Sequence, residues 1–189
     1  MRASTSVCPE VEAEGACPAP ACSGLMGACE LAVKSGTRIV LNVAPARKID
    51  ASLLKLVDIL IVNETEIELI SGMTVAQSGE EEVIDSLLTM GAKTVILTLG
   101  AKGCIVKSKE KNVSVPAFRV KPIDTTAAGD TFCGALVAQL SKGSDLVAAV
   151  KFATAAAAIC VTRIGAQPSI PTLEEVNQFL REAFKQKND

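Results

Sequence analysis

The sequence of 189 residues contains no histidine, no tryptophan and no tyrosine. Without an imidazole, the chain can build neither a Ser-His-Asp triad nor a zinc site with histidine ligands. Any general base must therefore be a carboxylate, a lysine amine or a cysteine thiol. This absence narrows the search for catalytic residues before any motif is considered.

Long apolar runs and a strong net charge are also absent. The longest uninterrupted apolar run, residues 155–161, is far shorter than the ~20 residues that a membrane-spanning helix needs. The 19 Lys and Arg residues nearly balance the 21 Asp and Glu residues, and the isoelectric point is about 5.4. Because nucleic-acid-binding domains usually carry a basic stripe, we expect a protein that binds neither nucleic acid nor a membrane.

The cysteines show no pattern of disulfide or metal binding. The seven cysteines form no C-x-x-C pair, and their number is odd. Cys104, Cys133 and Cys160 lie in apolar or helical segments, where a thiol packs as a small hydrophobic group. Free thiols persist in a reducing compartment, so we predict a cytoplasmic protein.

Residues 1–24 differ from the rest of the chain. They combine cysteine, proline and scattered glutamate without a sustained hydrophobic period. We therefore expect a poorly ordered tail. Residues 25–189 have the alternating composition of an ordered domain, and the 49% of apolar residues in the whole chain is enough for a sizeable core.

Short apolar runs alternate with helical patterns after this tail. Strands are predicted at residues 38–43, 59–62 and 94–98, with an antiparallel pair at 104–107 and 113–120. Helices are predicted at residues 23–34, 53–57, 64–71, 80–90, 131–141 and 145–162, with a last one starting at Thr172. Continuously apolar strands separated by helices predict an α/β fold, with a mainly parallel sheet covered on both faces.

The segment Asp124-Thr-Thr-Ala-Ala-Gly-Asp-Thr-Phe132 follows a predicted strand and opens a predicted helix. Ala127, Ala128 and Gly129 are small, so their N–H groups can approach an anion closely at the helix N-terminus. Asp130 would lie among these N–H groups and could take the proton of a hydroxyl that attacks a phosphate. The alternative interpretation is that Asp130 only caps the helix.

Three further segments lie where ligands bind in such folds, beyond the carboxyl ends of strands. In Asn63-Glu-Thr-Glu66, Asn63 could cap a helix, while Glu66 could orient a water on a hydrated Mg²⁺. Thr98-Leu-Gly-Ala-Lys-Gly103 could shape a turn around a nucleotide or simply join two strands. Arg163-Ile-Gly-Ala-Gln-Pro-Ser169 could ligate a hard cation through its carbonyls or only turn the chain.

Together and in this order, these segments resemble the C-terminal half of a ribokinase-like sugar kinase of the PfkB family. The segment that ends in Phe132 is similar to the family's second signature, which more often reads T-G-A-G-D. Other similar segments are Asn42-Val-Ala-Pro-Ala-Arg47, Asn63-Glu-Thr-Glu66, Thr98-Leu-Gly100 and Gly165-Ala-Gln-Pro-Ser169. The resemblance covers residues 25–184 and implies a three-layer α/β/α sheet, truncated on its N-terminal side.

The resemblance implies a role for each matched residue. Asp130 would be the catalytic base on a sugar hydroxyl, and the anion hole would consist of the N–H groups of Ala127, Ala128 and Gly129. Asn63 and Glu66 would lie near the ATP phosphates and Mg²⁺. The adenosine side would be lined by Thr98, Leu99, Gly100, Ala101, Lys102, Gly103 and Thr154. An activating K⁺ would lie at Asp124, Thr126, Cys160, Arg163, Gly165 and Ser169, bound in several cases by backbone oxygens.

Part of the family's pattern is not found in this sequence. The sugar-clamping G-G-x-G-x-N segment has no counterpart, since the sequence contains no Gly-Gly pair. One hypothesis is an ATP-dependent kinase that converts D-ribose to D-ribose 5-phosphate. The second is a nucleotide-binding remnant of such a kinase without activity. The third is an unrelated α/β binding domain whose motifs are caps and turns.

The departure from the family pattern also predicts how the chain associates. We expect the apolar strand at residues 38–43 to present an unpaired sheet edge, because its neighbouring strands are not found. Such an edge favours aggregation or pairing with another chain. The partners implied are therefore a small sugar substrate and a second polypeptide, such as another copy in a homo-oligomer.

Overall fold

A five-stranded sheet lies at the centre of the protein, in a computed structural model that describes residues 19–185. The strands are β1 (Val40–Asn42), β2 (Ile59–Asn63), β3 (Thr94–Thr98), β4 (Gly103–Ser108) and β5 (Asn112–Pro116). They lie side by side in chain order. β1, β2 and β3 are parallel, whereas β4 and β5 are antiparallel to their neighbours. The predicted α/β class and the predicted antiparallel pair are confirmed, within a sheet that is mixed.

Helices cover both faces of this sheet. They are α1 (Ala19–Lys34), α2 (Ala51–Leu54), α3 (Glu64–Ser71), α4 (Val75–Ser78), α5 (Glu80–Met90), α6 (Ala128–Ser141), α7 (Leu146–Cys160) and α8 (Leu173–Lys185). Two short 3-10 turns lie at Gly100–Lys102 and Gln167–Ser169. None of the helices in the described part of the chain is both long and apolar enough to cross a bilayer.

The two faces of the sheet form two separate hydrophobic cores. One core joins alternate residues of β2 and β3, such as Leu60 and Val95, to Leu87 of α5. The other joins Ile61 and the remaining alternate residues to helices α6 and α7. Because side chains alternate between the faces of a strand, strands buried on both sides must be continuously apolar. This arrangement confirms the expected three layers.

Several element boundaries differ from the predicted ones. β1 is shorter than residues 38–43, and β5 ends at Pro116 rather than at residue 120, since proline has no N–H to continue a ladder. α6 begins at Ala128, three residues before the predicted start. α1 begins at Ala19, within the predicted tail of residues 1–24, most of which lies outside the described residues.

β1 forms one edge of the sheet, as the sequence predicts. Within the described residues it pairs only with β2, and its three residues are all half-buried. Association through this edge stays a prediction.

The turn from β3 into β4 depends on Gly103. Its φ is +106°, and a Cβ built there would lie 2.1 Å from the backbone oxygen of Val115 on β5. The backbones of β4 and β5 therefore approach each other more closely than any side chain at residue 103 allows.

We predict that Gly103→Ala lowers the free energy of unfolding by about 2–3 kcal/mol, because both the φ angle and the backbone contact oppose a Cβ. Gly134→Ala is the matched control, since nothing lies within 4 Å of a Cβ there and the residue is in α6. The free energy of unfolding of this control should rise by about 0.5–1 kcal/mol, because alanine has a higher helix propensity than glycine. Denaturant unfolding measures both, and equal effects would contradict this explanation of the turn.

Candidate functional site

The carboxyl ends of β2 and β3 lie next to each other at one edge of the sheet. Asn63 and Thr98, the last residues of these strands, are partners in the parallel register. The Thr98 hydroxyl donates to the Val62 carbonyl oxygen at 3.3 Å. Two of the residues expected near a nucleotide are therefore held together by the sheet itself.

Asn63 and Glu66 form a reciprocal capping box at the start of α3. The Glu66 N–H donates to Asn63 Oδ1 at 2.9 Å, and the Asn63 N–H donates to Glu66 Oε2 at 2.8 Å. Glu66 is only 6% exposed, and its burial raises the pKa of the carboxyl. The capping interpretation is thus confirmed. Because Glu66 Oε1 accepts no hydrogen bond from the described residues, it is also available to a ligand.

The first turn of α6 presents free N–H groups beside a carboxylate. Ala127 is the N-cap and makes no side-chain cap hydrogen bond. The N–H groups of Gly129 and Asp130 donate to no acceptor in the described part of the chain. Asp130 is exposed within this first turn. The alternative that Asp130 is only the N-cap is therefore wrong.

Ala127 has an unusual backbone conformation. Its φ is +59°, the only positive φ of a non-glycine residue in the part of the chain that the structure describes. A left-handed alanine costs about 1–2 kcal/mol. This conformation turns the chain from Thr126 into α6, whose first N–H groups point out of the helix as at any helix N-terminus. Strain of this kind clusters at functional sites.

A cavity of about 650 Å³ lies beside this helix N-terminus and the ends of the two strands. Such a volume is in the range of small-molecule and cofactor sites. The predicted site residues that line it are Asn63, Thr98, Gly100, Ala101, Gly103, Ala128, Gly129 and Thr154. The cavity thus joins the predicted nucleotide side to the predicted anion hole.

The side chains of three residues predicted to line the adenosine side, Leu99, Lys102 and Thr154, contact other parts of the protein. The Leu99 side chain is buried in the core formed by α3 and α5. Lys102 is exposed and pairs with Glu80, Nζ to Oε1, at 3.8 Å. The buried Thr154 hydroxyl donates to the Val150 carbonyl oxygen at 2.9 Å, within its own helix. Leu99 and Lys102 therefore do not line the cavity, unlike Gly100, Ala101 and Gly103 of the same turn.

The charges of two acidic residues of the site act on the Cys133 thiol of α6. Its pKa is raised to about 12, first by burial and then by the negative charges of Asp130 and Glu66. The charges of Asp130 on α6 and of Glu66 on α3 therefore both act on the Cys133 thiol, although these residues are far apart in the sequence.

Asp124 holds together the two loops that were expected to bind a cation. Its Oδ1 accepts the Thr126 N–H at 2.9 Å, and its Oδ2 accepts the Gly165 N–H at 2.9 Å. These hydrogen bonds, with those of Thr126 the strongest, lower the pKa of the Asp124 carboxyl to about 2. The carboxylate therefore stays ionised and fixes the loop that precedes the anion hole.

Two other residues predicted to bind the cation, Thr126 and Ser169, lie beside the buried Cys160 thiol, whereas the Arg163 side chain contacts α8. Cys160 Sγ lies 3.1 Å from Ser169 Oγ and 3.7 Å from the Thr126 carbonyl oxygen. The Arg163 guanidinium instead pairs with Glu175 of α8, Nη2 to Oε1, at 2.5 Å. Only the backbone of Arg163 is therefore available to a cation at this loop.

One segment of the site was missed by sequence reasoning. Residues 117–122 include five that line the cavity, Ala117, Phe118, Arg119, Val120 and Pro122. Their apolar pattern predicted a continued strand, but the strand ends at Pro116. That proline was the signal that could have placed the segment in a loop.

The residues at the site fit a hydrated metal ion better than a fully protein-bound one. Among the described residues, no three Asp, Glu, Cys or His side chains come close enough to hold a metal ion. Mg²⁺ usually keeps several waters and binds through one or two carboxylates together with substrate phosphates. Glu66 and Asp130, beside free N–H groups, match that mode of binding.

Comparison with known proteins places the chain in a family. The model of the pfkB family of carbohydrate kinases matches residues 13–173. The chain belongs to this family. The segment that resembles the family's second signature lies at the α6 N-terminus, with Ala127 where that signature more often has glycine.

The relatives of this pfkB chain include several ribokinases. It is 45% identical to the ribokinase of Staphylococcus aureus over 165 residues, which are 85% of this chain and 53% of the relative. The ribokinase of Haemophilus influenzae is also 45% identical, over 162 residues and with the same coverage. The chain thus spans about half the length of the curated relatives it matches.

Solved ribokinase structures share the fold. The crystal structure of Thermotoga maritima ribokinase superposes with a TM-score of 0.72 at 41% identity, over 82% of this chain and 52% of that one. Arabidopsis thaliana ribokinase, complexed with ribose and ATP, gives a TM-score of 0.80 at 30% identity, over 84% and 52%. The ribokinase-like α/β fold is therefore shown.

We predict that Ala127→Gly raises the free energy of unfolding by about 1 kcal/mol, because glycine adopts a positive φ without the clash of a Cβ. Ala138→Gly is the matched control, since this exposed alanine lies inside the same helix. The free energy of unfolding of this control should fall by about 1 kcal/mol. Denaturant unfolding of both variants gives the sign of each change, and a loss in both would contradict the strain at Ala127.

Proposed function

We propose that the chain carries the nucleotide-binding and catalytic part of a kinase that phosphorylates a sugar hydroxyl with ATP. The observation that carries this proposal is the first turn of α6, where the exposed carboxylate of Asp130 stands beside free N–H groups. A cavity large enough for a nucleoside adjoins this turn. A base and an anion site beside a nucleotide pocket are the parts that phosphoryl transfer requires.

The cavity supports one orientation of the nucleotide. The adenosine would lie against the turn at residues 98–103 and Thr154 of α7, since both contribute residues to the cavity lining. The phosphates would then lie toward Ala128 and Gly129, at the opposite end. This orientation directs the terminal phosphate to Asp130.

The transfer step follows from these positions. Asp130 accepts the proton of the sugar hydroxyl as its oxygen forms a bond to the γ-phosphorus. The bond from that phosphorus to the bridging oxygen breaks, and ADP leaves with the bond's electron pair. The free N–H groups of Gly129 and Asp130 stabilise the negative charge on the transferring group, and the positive end of the α6 dipole adds to this. The Ala128 N–H, also predicted to be part of the anion hole, already donates to the Thr125 carbonyl oxygen at 3.3 Å.

Two cations are part of the proposal. Mg²⁺, when bound, would neutralise phosphate charge, with Glu66 Oε1 and Asn63 holding its waters. A K⁺ would be held by oxygens of the loops that Asp124 ties together. The Asp124 carboxylate and nearby carbonyls form an oxygen donor set, which suits such a cation. The donors proposed for it come from Asp124, Thr126, Cys160, Arg163, Gly165 and Ser169.

The proposed sugar is D-ribose, phosphorylated to D-ribose 5-phosphate. Support comes from the names of the similar proteins, two of which are ribokinases at 45% identity. A deoxyribokinase of Salmonella typhi and a fructokinase of Zea mays are each 38% identical. A sugar with a primary hydroxyl is therefore the class, and ribose is the member that the relatives favour.

A second candidate function is nucleotide binding without transfer to a sugar. It is supported by the cavity, whose lining fits a nucleotide, whereas none of the described residues has been assigned to binding the sugar. The cavity, the anion site and Asp130 all lie within residues 13–173, which match the family model. Sugar-dependent turnover separates the two candidates.

We predict that ribose stimulates ADP release from Mg·ATP and that Asp130→Asn lowers this rate by about 10²-fold or more. Loss of the base affects transfer but leaves the N–H groups and the cavity in place. ATP binding, measured by calorimetry, should therefore stay close to that of the unmodified chain.

Glu110→Gln is the matched control for the loss of one negative charge, because Glu110 is exposed in the turn between β4 and β5. It should keep the full rate. A rate unchanged in Asp130→Asn would contradict the assignment of the base. ATP binding without any response to ribose would favour the second candidate.

A further inference from the structure

The loop between β5 and α6, residues 117–122, forms one wall of the cavity and is anchored at both ends. The Ala117 N–H donates to the Lys102 carbonyl oxygen at 3.4 Å, and the Ile123 N–H donates to the Val161 carbonyl oxygen at 2.7 Å. One anchor lies at the turn after β3, and the other lies at the end of α7. The loop thus spans the region from the adenosine side to the start of α6.

An aromatic contact fixes the middle of this loop. The Phe118 ring meets the Phe179 ring of α8 edge to face, with centroids 5.2 Å apart and planes at 70°. Phe118 also packs against the core between α7 and α8. The backbone at Arg119 is therefore held in place, while the Arg119 side chain is exposed.

Arg119 is the cationic side chain of the cavity. Of the described residues that line the cavity, only Arg119 is positively charged, and Glu64 is the acidic one. Within the described part of the chain, no carboxylate oxygen lies within 4 Å of the Arg119 guanidinium. The nearby Lys102, in contrast, already pairs with Glu80. Arg119 is therefore a free charge at a site that a polyanion is proposed to enter.

We propose that Arg119 binds the phosphate chain of the nucleotide, an inference that rests on the proposed nucleotide site. A guanidinium presents a planar set of N–H donors that matches phosphate oxygens in pairs. The free N–H groups of α6 stabilise the terminal phosphate from one side. Arg119, on the loop that leads into α6, supplies the positive charge from the other wall of the cavity.

The competing role for Arg119 is a contact with the adenine ring. A guanidinium can stack on an aromatic face, and such a contact requires no phosphate. The two roles predict different dependence on the ligand. Contact with phosphates affects ATP and ADP but not adenosine, whereas stacking affects all three.

The test is calorimetric titration of Mg·ATP, Mg·ADP and adenosine into the full chain and into Arg119→Ala. We expect the variant to bind ATP and ADP roughly tenfold more weakly, as for the loss of one charge-assisted hydrogen bond. Adenosine affinity should be unchanged. Arg119→Lys should lie between the two, because lysine keeps the charge but not the paired donors.

Lys121→Ala is the matched control, since Lys121 is an exposed cation of the same loop that does not line the cavity. It should bind all three ligands like the unmodified chain. Unchanged ATP affinity in Arg119→Ala, or an equal loss for adenosine, would overturn the assignment while leaving the proposed function intact. Failure of the unmodified, folded chain to bind ATP would overturn the nucleotide site and the role of Arg119 with it.

Discussion

The parallel pairing of β2 with β3 is the constraint on which the rest of the site depends. Both strands are buried on both faces, so their register cannot slip without exposing apolar side chains or burying polar ones. The pairing places Asn63 beside Thr98 at the same edge of the sheet. The capping box of α3 follows β2 directly, and the turn before β4 follows β3. Both are therefore positioned by that edge of the sheet.

The start of α6 meets this edge because helices α6 and α7 pack on the second core. In the proposed site, its free N–H groups would attract an anion, while Asp130 and Glu66 would supply negative charge near it. The site therefore combines N–H groups that attract an anion with carboxylates that repel it. A bound phosphate with a cation satisfies both, since the cation neutralises the charge that the carboxylates would otherwise repel. The strained Ala127 keeps the N–H groups directed at that place.

Much of this arrangement could be predicted from the sequence because its signals are local. The capping box of Asn63 and Glu66 is set by spacing alone, and α5 has the predicted bounds because glutamates open it and Gly91 ends it. The order of strands and helices also defines the sheet edge where ligands bind. These features need only neighbouring residues.

The remaining features depend on contacts between distant segments. The positive φ of Ala127 occurs just after the segment that Asp124 ties to Gly165, and an alanine in the sequence gives no sign of it. Residues 117–122 resemble a strand until Pro116 is recognised as its end. Arg119 is an ordinary exposed cation in the sequence, and the tertiary fold alone makes it part of the cavity wall.

The most direct test of the account is an NMR titration of the labelled chain with Mg·ATP, followed at the backbone amides. We expect large shifts at Ala128 and Gly129 of α6 and at Gly100 and Gly103 of the turn, with little change at Ser86 on α5. Shifts confined to other surfaces, or none in a folded chain, would contradict a nucleotide site between the sheet edge and α6.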